Sequence, residues 1–459
     1  MLPPDFTQHT KHLLPDTFDA FIEAHKSPPP VSIRLHPQKM PVPPANSQPV
    51  SWCSAGFYLQ QRPSFTFDPH FHAGAYYVQE ASSMFLEQAV KQIKSAYTDA
   101  SQSFTCLDLC AAPGGKSTHL QTLLPEGSLL VSNEVIRNRC KILAENITKW
   151  GIPDHIITNN DPKEFSRLKH LFDIVLADLP CSGEGMFRKD LKSSAEWSLD
   201  HVKQCAARQR RIIRDVWQAI KPGGWLIYST CTYNTDENEE NVKYIAEELG
   251  AVIVPIPVKP EWNVSGALKY TIPVCRFFPH LTQGEGFFMA LLRKEGDAHY
   301  LKDGSPIHKN RQPSVVPELL KNSLLHPEQF FFDFHGDSIQ VLRKTYQSIY
   351  RQIADNLRIV SVGLSIGASK GKDFIPSAAL ALSIELRRDA FPTAALSYDD
   401  AIRFLKKEAI PLPEGTPKGF VLILWQDMPL GFVKNIESRA NNLYPAEWRI
   451  RQTTTPTTS

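Results

Sequence analysis

Cysteine is sparse in this chain and badly spaced for metal. Eight cysteines are scattered over 459 residues, with no Cys-x-x-Cys pair and no Cys/His cluster at zinc spacing. That argues against a disulfide framework and a zinc module, and the thiols are expected to be free and reduced. Long apolar runs are missing as well: stretches such as Phe420–Trp425 are far too short to cross a bilayer. The opening Met1-Leu2-Pro3-Pro4-Asp5-Phe6-Thr7-Gln8 has no basic segment followed by an apolar one, so it does not read as a secretion signal. A cytoplasmic protein without membrane contact is expected. Charge of one sign is also lacking. The formal net charge is +2, so any nucleic-acid surface must be a local patch. There is no internal repeat, no G-x-G-x-x-G for a dinucleotide and no G-x-x-x-x-G-K-[ST] for a nucleotide triphosphate.

What is present is organised around Cys106-Leu107-Asp108-Leu109-Cys110-Ala111-Ala112-Pro113-Gly114-Gly115-Lys116. An apolar run passes through a Pro-Gly-Gly turn into a helix, which makes a cradle for a nucleotide-like ligand. The glycines admit the ligand to the backbone, and the helix offers its first free N–H groups. Around this stretch, strands are expected at 105–109, 128–133, 155–159, 172–178, 225–230, 252–256 and 286–293. Helices are expected at 115–124, 137–149, 162–169, 199–220 and 236–249. The alternation specifies an open, mostly parallel α/β sheet of seven strands with helices on both faces. The last two strands, lacking a helix between them, form a closing antiparallel pair.

Ahead of this domain, residues 1–75 carry a helical apolar rhythm in two segments split by Pro15. Eight prolines follow between Pro28 and Pro49, around one possible strand at Val31–Leu35. The domain itself spans 76–295, a linker 296–315, a β-rich C-terminal region 316–451 and a Thr-rich tail 452–459. In the C-terminal region a helix is expected at Tyr398–Glu408. Gly419–Gln426 and Gly431–Ile436 should form a hairpin around Asp427–Leu430.

Three acids follow successive strands: Glu134, Asp161 and Asp178. An acid after the second strand suits ribose hydroxyls, and one after the third can accept from an adenine amino group. A nucleoside cofactor without phosphates, such as S-adenosylmethionine, fits this set. The bland alternative for each acid is a helix cap or a solvated turn.

Two cysteines, Cys181 and Cys231, follow the fourth and fifth strands, each in a polar turn, and should meet at the cofactor edge. A lone cysteine is more often a small buried apolar residue than a nucleophile, but two beside a methyl donor shift that balance. Carbon 5 of a pyrimidine is a poor nucleophile until a thiolate adds to carbon 6. A carboxyl at Asp178 bonded to ring N3 would steady the charge of addition. Lys116, Arg188 and Lys189 are cations that could depress a thiol pKa or hold RNA phosphates. The run Asp236–Glu240 reads as a helix start favoured by the dipole. Trp425, Trp448 and Tyr444 are candidates for base stacking, with core packing the simpler role for Trp425.

These pieces together resemble the Sun/Fmu-type RNA cytosine-carbon-5 methyltransferases, and within them the RsmF type that acts on small-subunit ribosomal RNA. The matching stretches are Cys110–Lys116, Asp178–Asp190, Tyr228–Thr232 with Asn234–Asn241, and, near the end, Pro429–Lys434 and Arg439–Pro445. The resemblance implies a Rossmann-like class I methyltransferase domain between a small N-terminal domain and a PUA-like RNA-binding domain. It implies S-adenosylmethionine, and no metal, at Cys110, Ala111, Ala112, Pro113, Gly114, Gly115, Lys116, Glu134, Asp161 and Asp178. It further implies Cys231 as the covalent nucleophile and Cys181 as the thiol that aids release, an order that the chain alone does not choose. The implied partner is ribosomal RNA, free or in the assembled subunit, with the protein acting as a monomer. Leu179 and His36 depart from the usual alanine and asparagine of the pattern. A transfer-RNA methyltransferase of the same chemistry and a catalytically idle ribosome-assembly factor are the competing readings.

Overall fold

The computed structural model describes residues 2–99, 101–296, 318–370 and 373–452. The expected linker and tail lie outside the described residues, apart from Gly296 and Gln452. All seven expected strands are found in one sheet. Its order is Ala251–Val254, Phe287–Lys294, Ile220–Thr230, Phe172–Asp178, Thr105–Asp108, Leu129–Asn133, His155–Thr158 and Ile359–Val362, with Cys275–Phe277 paired off the path against Phe287–Lys294. The five strands from Ile220–Thr230 to His155–Thr158 run parallel, and Phe287–Lys294 is antiparallel to both its main neighbours.

The near-continuous apolar strands follow from burial on both faces. Side chains alternate across the sheet. Leu107, Val131, Val175 and Leu226 enter one core, while Cys106, Leu130, Ile174 and Ile227 enter the other. Four of the five expected helices around the sheet are α-helices: Gly115–Leu123, Arg137–Trp150, Leu199–Val216 and Glu239–Leu249. The fifth, Pro162–Arg167, is a 3-10 segment rather than an α-helix, because Asp161 caps it over a single tight run. The last of the four starts three residues later than the sequence suggests, since the residues ahead of it use their side chains elsewhere, as described below.

Two strands were not expected in this sheet. Ile359–Val362 comes from the C-terminal region and pairs antiparallel with His155–Thr158, covering what would otherwise be an open parallel edge. The leading residues also build more than one strand. Val31–Leu35 sits between Gly56–Leu59 and Tyr76–Val78, with Gln48–Pro49 outside; helices Pro4–Leu13 and Phe18–Ala24 precede this sheet in the chain. Arg34 and His36 of this arm are buried inside the protein. The Arg34 guanidinium donates to the Thr118 hydroxyl (2.6 Å) and lies over Trp150, which ties the N-terminal sheet to the helix after the glycine turn.

The C-terminal region holds two four-stranded sheets. The expected hairpin is present, but tighter: Gly419–Trp425 and Met428–Asn435 are joined at Gln426 and Asp427, both with positive φ, so Met428, Pro429 and Leu430 belong to the second strand. The expected helix runs Tyr398–Leu405. Tyr444 is wholly buried, with Trp448 against it, and Trp425 packs on His70; Tyr444 is therefore a core residue and not a stacking platform.

Candidate active site

Parallel strands deliver their C-terminal ends to one edge of the sheet, and the expected site residues collect there. The glycine turn is held on both sides. Leu109 N donates to Leu176 O (2.9 Å), and Ala111 N donates to Asn133 O (2.8 Å). Arg139 and Asn146 of the next helix donate to the carbonyls of Ala112 (2.6 Å) and Pro113 (2.8 Å). Gly114 has φ of +114°, a conformation that a side chain resists, and it starts the helix Gly115–Leu123 without any side-chain cap on its first N–H groups.

The three acids are used differently. Glu134 is buried; it accepts from Ile136 N (2.9 Å) and faces Arg139 at 3.4 Å. Directly after it, Val135 and Ile136 leave 54% and 51% of their surface in solvent. Asp161 is the N-cap of the 3-10 segment. It accepts from Lys163 N (3.1 Å), and Glu164 accepts from its own N–H (3.1 Å). The bland reading thus describes the Asp161 carboxylate, which is already engaged by its own segment. Asp178 accepts from Lys116 Nζ (2.8 Å) and from the Ser229 hydroxyl (2.7 Å). Burial opposes charge on Lys116, but Asp178 more than offsets it, and the ammonium pKa is pushed up. The Phe287 ring lies 5.1 Å from that ammonium.

Sequence reasoning missed Asp108. It is fully buried inside the turn. Ser117 donates to one carboxylate oxygen (2.6 Å), and the other has no partner among the described residues. Burial, and to a lesser degree the neighbouring Asp178, push the carboxyl up to about 7, against the pull of Ser117. An acid on the last residue of a glycine-turn strand was the available signal. Cys110 is pushed up by burial and by the acids around it, so this thiol stays neutral.

Cys181 and Cys231 come together with sulfurs 3.2 Å apart. The parallel pairing of their strands, with Asp178 opposite Ser229, brings both turns to the same place. Gly185 N donates to Cys231 O (2.9 Å), and the Ser182 and Thr232 hydroxyls share a hydrogen bond (2.9 Å). A Cβ at Gly185 would stand 2.5 Å from the Gly286 carbonyl, so only glycine lets this turn lie against the last strand. The hydrogen bond with Cys231, then burial, push the Cys181 thiol well up.

The cations depart from expectation. Arg188 is not free for a phosphate: its side chain is 6% exposed and bonded to Glu285 (3.0 Å), Gly284 O (2.7 Å) and Ala24 O (3.1 Å). It fastens the first helical pair to the loop before strand Phe287–Lys294. Lys189 is more open and only 3.9 Å from Glu285, so it keeps a head that can reach a ligand. Nor is Asp236–Glu240 merely a helix start: Glu237 and Glu239 are fully buried, the latter in an ion pair with Arg276.

The chain is similar to known RNA methyltransferases. Residues 97–293 match the family described as 16S rRNA methyltransferase RsmB/F. Residues 2–81 match the N-terminal domain of 16S rRNA methyltransferase RsmF, and residues 391–450 match the methyltransferase RsmF PUA domain. The chain is 27% identical over 472 residues to ribosomal RNA small subunit methyltransferase F of Erwinia tasmaniensis, covering 97% of this chain and 96% of that protein. It is 29% identical over 474 residues to the protein of the same name from an Enterobacter species, covering 97% and 95%. Among solved structures, a methyltransferase homolog protein from Pyrococcus horikoshii superposes with a TM-score of 0.51 at 26% identity, covering 61% of this chain and 91% of that one. NSun6 from the same organism shares the fold, with a TM-score of 0.54 at 20% identity, covering 64% and 99%.

Proposed function

The chain belongs to the RsmB/F family of 16S ribosomal RNA methyltransferases, which use S-adenosylmethionine, and from that premise we propose that it methylates carbon 5 of a cytidine through a covalent cysteine adduct. The observation that carries the proposal is the pair of thiols at 3.2 Å, set beside the Lys116–Asp178 ion pair at the ends of neighbouring strands. A methyl transfer to an exocyclic nitrogen or to a ribose hydroxyl has no use for two converging sulfurs.

The residues fit the methyl donor. The uncapped helix start, the unpartnered Asp108 oxygen and the bare apolar side chains of Val135 and Ile136 surround one edge. Cys110–Lys116, Glu134 and Asp178 would hold it, with Asp161 at the rim. When bound, S-adenosylmethionine supplies an electrophilic methyl group. The Cys231 thiolate adds to carbon 6 of the cytosine, which turns carbons 5 and 6 into a nucleophilic enamine. Asp178, sharing a proton with ring N3, and the Lys116 ammonium steady the charge made by that addition. After carbon 5 has been alkylated, its proton leaves to a base, the electron pair reforms the 5,6 double bond, and the Cys231 sulfur departs. Cys181, held at hydrogen-bond distance from Cys231, assists that departure. The target base must be turned out of any stack to reach both sulfurs. The N-terminal domain and the C-terminal PUA region supply shape and phosphate contacts rather than chemistry.

Bisulfite sequencing of total RNA from a strain lacking the gene tests the proposal. One cytosine signal in small-subunit ribosomal RNA should be lost. Loss of a transfer-RNA signal instead, or no loss anywhere, overturns the assignment.

A further inference from the structure

Thr235-Asp236-Glu237-Asn238-Glu239-Glu240 leads into the helix Glu239–Leu249 and has the acids that a helix start favours. Yet Glu237 and Asn238 turn their side chains away from that helix and into the protein, fully buried. Glu237 accepts from Ser182 N (3.0 and 3.3 Å to its two oxygens), from Asn234 Nδ2 (2.9 Å) and from Gln209 Nε2 (2.7 Å). The same Gln209 nitrogen donates to Pro180 O (3.0 Å). Both neighbours of Cys181 in the chain are thus held by one carboxylate, one directly and one through an amide.

Asn238 does the same for the other thiol. Its oxygen accepts from the Thr230 hydroxyl (2.6 Å), and its nitrogen donates to Thr232 O (3.0 Å). Both neighbours of Cys231 are held by one amide. The two cysteines come from turns 50 residues apart, but their flanks are gripped by adjacent residues of a third segment.

The arrangement is a poor choice for stability alone. Burial, and then the neighbouring carboxylate of Glu184, push Glu237 up to about 7, so the charge is unwelcome there. Buried polar networks of this kind give a unique geometry where an apolar core would give comparable stability. We infer that Glu237 and Asn238 are positioning residues that fix Cys181 against Cys231, with Glu237 governing the release step and Asn238 the attack. The inference rests on the thiol chemistry proposed above and assigns its precision to a buried segment that holds the residues on either side of the two cysteines.

The test compares Glu237→Gln, Asn238→Ala and Cys181→Ala in the full-length protein on small-subunit ribosomal RNA. Steady-state methylation and the covalent protein–RNA band on denaturing gels are both recorded. A glutamine at 237 offers one acceptor where three donor groups converge and turns an amide N–H2 toward them, so the Cys181 turn loosens. Glu237→Gln should lower kcat by roughly ten- to a hundredfold, as for a misplaced catalytic group. It should leave the KM for S-adenosylmethionine within about twofold and accumulate the adduct as Cys181→Ala does. Asn238→Ala should lower kcat comparably, but with less adduct than the unaltered protein. Thermal melts and cofactor titration check folding, and Ser182→Ala, which removes the hydroxyl's links to Thr232 and Asn234 but keeps the backbone N–H that Glu237 grips, should shift adduct level in the same sense as Glu237→Gln. If Cys181→Ala traps adduct but Glu237→Gln does not, or if both clamp variants lose cofactor affinity and turnover together, the inference fails. If Cys181→Ala itself gives no adduct, both the inference and the chemistry beneath it fall.

Discussion

The cofactor turn and the two thiol turns lie on the same sheet edge and are finished in opposite ways. At the cofactor turn the protein leaves things undone: a helix start without a cap, a buried Asp108 oxygen without a partner, and Val135 and Ile136 half in solvent. At the thiol turns almost every polar atom is satisfied, through Ser182, Thr232, Asn234, Glu237 and Asn238. A surface that receives a ligand keeps its unmet valences for that ligand. A surface that must hold two side chains at a fixed distance meets its own, because a loose half-satisfied network would let the sulfurs drift.

The largest expected effect tests the locked region. Cys231→Ala should reduce methyl incorporation by about four orders of magnitude, as loss of a covalent nucleophile does. It should form no covalent RNA complex and bind S-adenosylmethionine as before, measured by calorimetry. Cys181→Ala should also turn over poorly while trapping the RNA. If the two variants exchange these phenotypes on the gel, the roles of the sulfurs are reversed.

The open region carries the next effect, and it depends on pH. Asp108 holds its proton up to about 7 in the folded protein, against an ordinary value near 3.8. The unfolded chain therefore releases a proton that the native state keeps, and stability from this group falls as pH rises from about 4 to 7. Over that window the loss is on the order of 2–4 kcal/mol. Asp108→Asn should flatten the slope of urea-unfolding free energy between pH 5 and 7.5; an unchanged slope would mean that Asp108 is ionised in the native protein.

Arg188 draws the boundary between the two regions. Read from the sequence it is a phosphate ligand; in the structure it is one half of a buried ion pair with Glu285. Arg188→Ala should cost about 3 kcal/mol, since it strands a buried carboxylate. The salt dependence of RNA binding should barely change, because no phosphate contact is lost. Lys189→Ala should do the reverse, leaving the melting temperature in place and reducing the slope of log affinity against log salt by about one.

What the sequence revealed, and what it hid, divides along the same line. The parallel strands were legible because burial on both faces writes an apolar run that ends in turn residues, as at Phe172–Asp178. The two cysteine turns were legible because each follows such a run. Contacts made by partners distant in the chain were not. Glu285 lies 97 residues from Arg188, and nothing near Arg188 announces it. Glu237 sits in a stretch whose local pattern is that of a helix start, so its reach to Ser182, 55 residues back, stayed hidden. Strand Ile359–Val362 joins a sheet built some 200 residues earlier, and no local periodicity can say which sheet an edge strand will cover. Asp161 shows the other kind of gap: its position at a strand end suggested a ligand, and the sequence did not say that its side chain would also cap its own segment.

The smallest effect probes how the open region is finished. Val135 follows Glu134 and keeps about half of its surface in water, although it stands beside a buried acid and an apolar sheet. An exposed valine adds little to folding, so Val135→Ser should shift the melting temperature by less than about 2 °C. If the side chain is instead the wall against which the adenosine of the cofactor lies, removing its apolar surface should forfeit about 0.5–1 kcal/mol of binding, which is a two- to fivefold rise in Kd. Glu134→Gln should weaken the cofactor more, because Glu134 would accept from ribose hydroxyls rather than merely shelter the ring. Calorimetric titration of the two variants with S-adenosylhomocysteine ranks them. Equal and unchanged affinities would show that the cofactor does not lie along Glu134 and Val135, and the bare apolar rim would then have to be assigned to the RNA.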